Sequence, residues 1–249
     1  RGQMKPVDSG PALSHIAEAV LRAMLAAVRQ ELEIHHGPFP GGRVMLLAMG
    51  KLASKELMPG SDLDLILIYD APEDCTGSDG AKPLAVSAYY SRLCQRLVNA
   101  LTALTAEGML YEIDLRLRPS GNKGPLACSL TAFDSYHRKD AWTWEHMALS
   151  RARAVAGDTD LCETVDRVIS AILKSTRDPA KLLGDVYSMR LKMAGELDKG
   201  SLWDVKQARG GIVDGEFIIQ YLLLREAASA DVLGKTTMAA SITALHEAG

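Results

Sequence analysis

Cysteine is scarce in this sequence: four residues, Cys75, Cys94, Cys128 and Cys162, lie far apart, with no C-x-x-C pair among them. That spacing excludes a disulfide framework and reads as free thiols in a reducing compartment. Charge of one sign is equally lacking. A net charge of −3 gives no basic surface for nucleic acid, and no basic stripe interleaved with aromatics is present to track a single strand. No uninterrupted apolar run approaches the roughly 18 residues of a membrane span. The mixed-charge opening "RGQMKPVDSG" lacks the layout of a signal peptide. Repeats and low-complexity tracts are absent too. These absences leave a cytoplasmic globular protein with no membrane and no nucleic-acid partner expected.

What is present is ordinary in bulk: 249 residues, 47% hydrophobic and 24% charged, enough for one large domain or two average ones. The chain opens at Arg1, and its last residues, "SITALHEAG", read as the interior of a helix. A piece of a longer protein is therefore expected.

Residues 11–34 carry apolar side chains at helical spacing, before "HHGPFPGG" breaks the pattern. "RVMLLAMG" (43–50) reads as a strand ended by Gly50, and "KLASKEL" as one helical turn or two. "GSDLDLILIYD" (60–70) is a strand, and 83–107 is a long helix ended by Gly108. "MLYEIDLRLRP" (109–119) alternates. Tyr111, Ile113, Leu115 and Leu117 share one face; Glu112, Asp114, Arg116 and Arg118 share the other. Pro119 ends it. "PLACSL" is a short strand, and helix follows from Thr131 to about Val155. Beyond "AGDTD" (156–160) the pattern is helical: 161–175, 179–197 and 213–229. This order predicts an α+β domain over 1–157 followed by a helical bundle domain over 158–249.

The chemistry concentrates in "GSDLDLILIYD". Asp62 and Asp64 interrupt an apolar run, where a carboxylate without a partner is costly. Residues i and i+2 of a strand share a face, so the two carboxylates project side by side. One must hold a proton unless a cation sits between them, and hard divalent ions take such oxygen ligands. The bland alternatives are edge-strand aspartates facing water, or a pair answered by nearby arginines. Asp114, flanked by Arg116 and Arg118, offers a third carboxylate from a second strand. Three aspartates and two arginines suit a two-metal phosphoryl or nucleotidyl transfer site.

The arrangement "MGK…GSDLDL…EIDLRLRP" resembles the nucleotidyltransferase superfamily of DNA polymerase β. More closely, "GKLASKELMPGSDLDLILIYD", "LYEIDLRLRPSGNKGPL", "AWTWEHMALSRARAVAGD" and "DVKQARGGIVDGEFIIQYLLL" are similar to the glutamine synthetase adenylyltransferase family. Ser120 and "TWEH" resemble the carboxy-terminal, adenylylating half of that enzyme more than its deadenylylating half. Two departures stand out: Ala53-Ser54 replaces a pair of glycines, and Asp214-Gly215-Glu216-Phe217 replaces Asp-Ile-Glu-Phe.

The resemblance implies a polymerase β-like domain with a small mixed sheet flanked by helices. It also implies Mg²⁺ on Asp62, Asp64 and Asp114, with ATP as substrate. Gly50, Lys51, Gly60, Ser61, Arg116, Arg118 and Lys206 would contact the nucleotide, with Asp204 beside Lys206. Turn geometry alone could account for the glycines, and ion pairs with Glu112 or Glu145 for the arginines. The implied partners are glutamine synthetase as protein substrate and, through the parent protein, the PII signal protein. The tryptophans of "AWTWEH" are expected in the core, while Glu145 and His146 are polar enough to face a cleft. Arg151 and Arg153 stand like His146, more structural than chemical. His35-His36 has no zinc-binding spacing. The competing functions are phosphorolysis of AMP–tyrosine and a non-catalytic nucleotide-sensing module; nucleic-acid polymerisation is the weakest.

Overall fold

The computed structural model describes residues 6–197, 203–235 and 237–249. The first residues of the charged opening and Gly200 of the expected glycine break lie outside them. The chain divides into two compact units. The first holds the residues up to Lys139 together with Ala152–Val168; the second holds Asp140–Arg151 and Ile169–Gly249. This differs from a single cut at residue 157. A strand that follows 140–151 returns to the first unit's sheet, so the chain visits the second unit twice.

In the first unit, helix α1 (Pro6–His36) places Ala17, Leu21, Leu25, Val28 and Leu32 on one buried face. The steps of three and four follow the 3.6-residue helical period. Its segment Asp8–His36 is long and apolar enough to cross a membrane by length and composition. In this fold the apolar face is instead core, and Glu18 pairs with Arg22 and Arg153.

Strand β1 (Arg43–Ala48) leads into the single turn α2 (Gly50–Ala53), and β2 (Leu63–Asp70) returns antiparallel to β1. Both faces of the pair are buried: Val44, Leu46, Leu65 and Leu67 lie against α1 and helix α3 (Val86–Thr102). Met45, Leu47, Ile66 and Ile68 alternate with them and are also buried. A strand covered on both sides needs a near-continuous apolar run, as β2 has after Asp64.

Strand β3 (Ile113–Asp114) and β4 (Ala127–Ser129) both run parallel to β2, along the edge that β1 leaves open. Helix α4 (Leu130–Lys139) packs against β2. Helix α5 (Thr143–Leu149) belongs to the second unit, and β5 (Arg153–Gly157) then pairs antiparallel with β1. The result is a mixed five-stranded sheet, β3-β2-β1-β5 with β4 also on β2, flanked by helices, as expected for an α+β fold.

Three local expectations need correction. The half-buried strand over 109–119 shrinks to two residues, because the chain turns at Leu115–Arg118, where the Arg118 N–H donates to the Leu115 carbonyl at 3.2 Å. The helix read through Val155 breaks into α4, α5 and β5. Alanine-rich "RARAVAG" has helical propensity, but pairing with β1 overrides it. Helix α3 ends at Thr102, and Gly108 instead closes a tight turn with Thr105.

Helix α6 (Thr159–Leu173) starts in the first unit and ends in the second. The second unit continues with α7 (Pro179–Leu197), α8 (Ile212–Glu226) and α9 (Met238–Glu247). Ile219, Leu223 and Val232 form a buried cluster there, joined by Met238 and Leu245.

Candidate active site

The register of two parallel strands builds the site. Asp64 in β2 lies directly beside Asp114 in β3, and neighbouring strands are about 4.8 Å apart. Asp62, two residues before Asp64, extends the same face. The Leu63 N–H donates to the Glu112 carbonyl at 2.9 Å, locking the register at this point. One carboxylate oxygen from each of Asp62, Asp64 and Asp114 lies within 4.8 Å of the others. The structure therefore brings together the three carboxylates that the sequence singles out.

Their charges are not equivalent. Burial, followed by the neighbouring charges of Asp62 and Asp114, pushes the Asp64 carboxyl up to about 6. Arg116 and Lys51 oppose that shift without cancelling it. Asp114 moves the other way, because Arg116 holds it ionised. The Arg116 backbone N–H donates to Asp114 Oδ1 at 2.7 Å, and its Nε donates to Oδ2 at 2.8 Å.

Gly50 completes the wall behind Asp64. Its φ of 54° is left-handed, and a Cβ there would collide with Asp64 Oδ2. Only glycine lets the β1–α2 turn pass this close to the carboxylate. The Met49 N–H donates to the Asp64 carbonyl at 2.9 Å, fixing the same approach from the backbone. Lys51 is exposed on the first turn of α2.

Gly60 has a φ of 74°, a left-handed turn conformation, with open space around it. The Ser61 Oγ accepts from the Met58 N–H at 3.2 Å and holds that turn. Arg116 is exposed and lines a cavity of about 490 Å³ with Asp62, Asp114 and Asn122.

Arg118 lines the same cavity as Asp62, Asp114 and Arg116 but is held differently from Arg116. It is only 6% exposed, and its guanidinium donates to the carbonyls of Leu115 at 2.7 Å and Pro125 at 2.9 Å. The turn at 115–118 moves it off the alternation, and it ties down the loop that carries Asp114. Arg116 forms an ion pair with Asp114. Lys206 lies in the second unit, in a loop where its backbone N–H donates to Asp204 Oδ1 at 3.1 Å.

The "AWTWEH" segment also differs from expectation. Trp142 is 71% exposed rather than core. Glu145 is buried and caps α5, accepting from the Trp142 N–H at 2.8 Å. His146 lines a second-unit cavity with Thr143, Arg177 and Lys181. Arg151 pairs with Glu216 at 3.4 Å. With the Gln220 amide oxygen turned toward it, Arg151 also donates there at 3.1 and 3.2 Å.

Arg153 is the residue whose importance the sequence conceals. It binds Glu18 of α1 and donates to the carbonyls of Leu52 at 3.2 Å and Ala53 at 3.1 Å. It thereby fixes the end of α2, three residues after Gly50. An arginine inside an unrecognised strand carried no signal of this.

The donor set suits a hard cation. All three ligands are carboxylate oxygens, and neither thiol nor imidazole joins the cluster among the described residues. The raised proton affinity of Asp64 registers first its burial and then a like-charge repulsion from Asp62 and Asp114 that a cation would relieve.

A small mixed sheet with a carboxylate trio at the rim of two parallel strands, facing a glycine turn, is consistent with the nucleotidyltransferase class of domain. The family model for glutamate-ammonia ligase adenylyltransferase matches residues 2–168. The chain belongs to that family. It is 54% identical over 223 residues to the bifunctional glutamine synthetase adenylyltransferase/adenylyl-removing enzyme of Agrobacterium fabrum. The enzyme of that name from Mesorhizobium japonicum is 52% identical over 223 residues. Each match covers 90% of this chain and 23% of the relative. For the Xanthomonas campestris pv. campestris relative the identity is 47% over 229 residues, covering 91% and 24%. The chain thus spans about a quarter of the length of the curated relatives it matches.

Proposed function

We propose that this chain transfers AMP from ATP to a tyrosine hydroxyl of glutamine synthetase, releasing pyrophosphate, with Mg²⁺ held by Asp62, Asp64 and Asp114. The observation that carries the reading is the carboxylate trio, whose ligand oxygens lie within 4.8 Å of one another. Ser120 and the segment Thr143–His146 support the adenylylating half, because they resemble it. A module that merely senses a nucleotide has no need of a third carboxylate.

A tyrosine hydroxyl titrates near 10, so at neutral pH it needs activation and precise placement. Bound Mg²⁺ would neutralise phosphate charge and ease loss of the hydroxyl proton. The protein's own groups divide the remaining work. Asp114, kept ionised by Arg116, is suited to ligation rather than to storing a proton. Asp62 is exposed and faces the nucleotide side. Arg116 and Lys51 bring positive charge to the rim, where the phosphates collect. Gly50 leaves room for the Asp64 carboxylate. Arg118 positions the Asp114 loop and, lining the same cavity, adds positive charge near the phosphates. We place the protein in the cytoplasm. Control by the PII signal protein and glutamine belongs to the longer parent protein.

Incubation with ATP, Mg²⁺ and glutamine synthetase tests this directly. The expected result is an AMP-sized mass increment on the synthetase, lost in Asp62→Asn and without the metal. An increment that survives Asp62→Asn overturns the metal assignment. Release of ADP from adenylylated synthetase and phosphate, with no forward transfer, moves the assignment to the deadenylylating half.

A further inference from the structure

A groove of about 380 Å³ runs beside the carboxylate site in the first unit. One wall is the loop before β2, with Met58 and Pro59; the other is the segment before β3, with Met109 and Leu110; Leu13 of α1 also lines it. Three of these side chains face solvent: Met58 is 60% exposed, Met109 43% and Leu110 51%. A cluster of large apolar groups left in water marks a contact surface, and methionines adapt to irregular apolar partners.

The groove's position identifies its occupant. Glu112 lines both this groove and the cavity that holds Asp62, Asp114 and Arg116, so the two spaces adjoin. Both walls run straight into the site: Ser61 precedes Asp62, and Glu112 stands two residues before Asp114. Whatever fills the groove therefore lies next to the reacting groups. The reaction has two participants, a polyphosphate donor and a hydroxyl-bearing acceptor. The groove's single charge is the carboxylate of Glu112, which repels phosphate, whereas the cations Lys51 and Arg116 sit at the carboxylate site itself.

We infer that this groove seats an apolar polypeptide segment of the acceptor protein, next to the hydroxyl that receives or loses AMP. The inference rests on the reading of the chain as an enzyme acting on glutamine synthetase, and it holds for transfer in either direction. Met58, Met109 and Leu110 then set specificity for the protein acceptor while leaving the nucleotide unaffected.

The test uses the whole 249-residue chain and two variants on opposite walls, Met58→Asp and Leu110→Asp, both at solvent-exposed positions. Binding to glutamine synthetase is measured by interferometry, and binding of ATP with Mg²⁺ by calorimetry. The expected result is at least a tenfold loss of synthetase affinity in both variants, with ATP affinity within twofold of the parent chain. Unchanged synthetase affinity in both variants overturns the inference, as does a parent chain that does not bind the synthetase. Loss of ATP affinity with synthetase binding intact assigns the groove to the adenine base, which also overturns it. AMP transfer is measured in parallel. A parent chain that binds the synthetase through this groove yet neither adds nor removes AMP sinks the catalytic reading alone.

Discussion

Asp64 carries a proton-binding tendency imposed first by its burial and then by Asp62 and Asp114. An acid whose pKa rises on folding is held more tightly in its protonated form. Ionised Asp64 therefore costs stability above about pH 6, and the cost fades as pH falls toward its ordinary value of 3.8. A cation competes with that proton. Apparent Mg²⁺ affinity should change little above pH 7 and fall by about tenfold per unit below pH 6, as calorimetric titration across pH would show. Asp64→Asn should raise the cation-free melting temperature by a few degrees, about 1 kcal/mol after screening. The same substitution should abolish the thermal shift on adding Mg²⁺. Gly50→Ala forces a Cβ into Asp64 Oδ2 at a left-handed φ. The chain should still fold, at a cost of about 1–3 kcal/mol, while Mg²⁺ affinity drops at least tenfold. Asp62 and Asp64 were legible from their spacing, since two carboxylates in an apolar strand need a reason. The work of Arg153 was not, because its partners lie about 100 and 135 positions away.

Among the elements, β3 shows how a short piece can carry chemistry. Only Ile113 and Asp114 pair with β2, and the loop after them is held by the buried Arg118 and its backbone carbonyls. Arg118→Ala leaves those carbonyls without their charged donor. It should cost about 2 kcal/mol and speed amide exchange across 115–125. Transfer activity should fall with it, through displacement of Asp114. Lys51→Ala, by contrast, should leave that exchange unchanged. The clean alternation over 109–119 announced a strand, yet alternation reports only which side chains favour water. It cannot report that, among the described residues, no strand pairs with 115–119.

For the molecule as a whole, the chain path matters more than any single boundary. Residues just past 157 belong with the sheet. Asp158 accepts from the Val44 N–H at 2.8 Å and from Arg29 at 3.2 Å, and Leu161 and Val165 are fully buried. A chain ended after Gly157 should lose about 2–3 kcal/mol for each of those two side chains and melt at least 10 °C below one ended after Leu173. Equal melting temperatures in a thermal scan would show that α6 adds nothing to the first unit.

By itself the sequence determined the α+β order of the chain, the carboxylates of the site and the family, because periodicity, charge in an apolar run and local motifs are properties of neighbouring residues. The tertiary structure decided what depends on distant partners. It turned "RARAVAG" into an edge strand on β1, tied Arg153 to Glu18 and left Trp142 exposed. Each of those outcomes rests on a hydrogen-bond partner or a covering surface supplied by a different part of the chain, and local pattern carries no record of it.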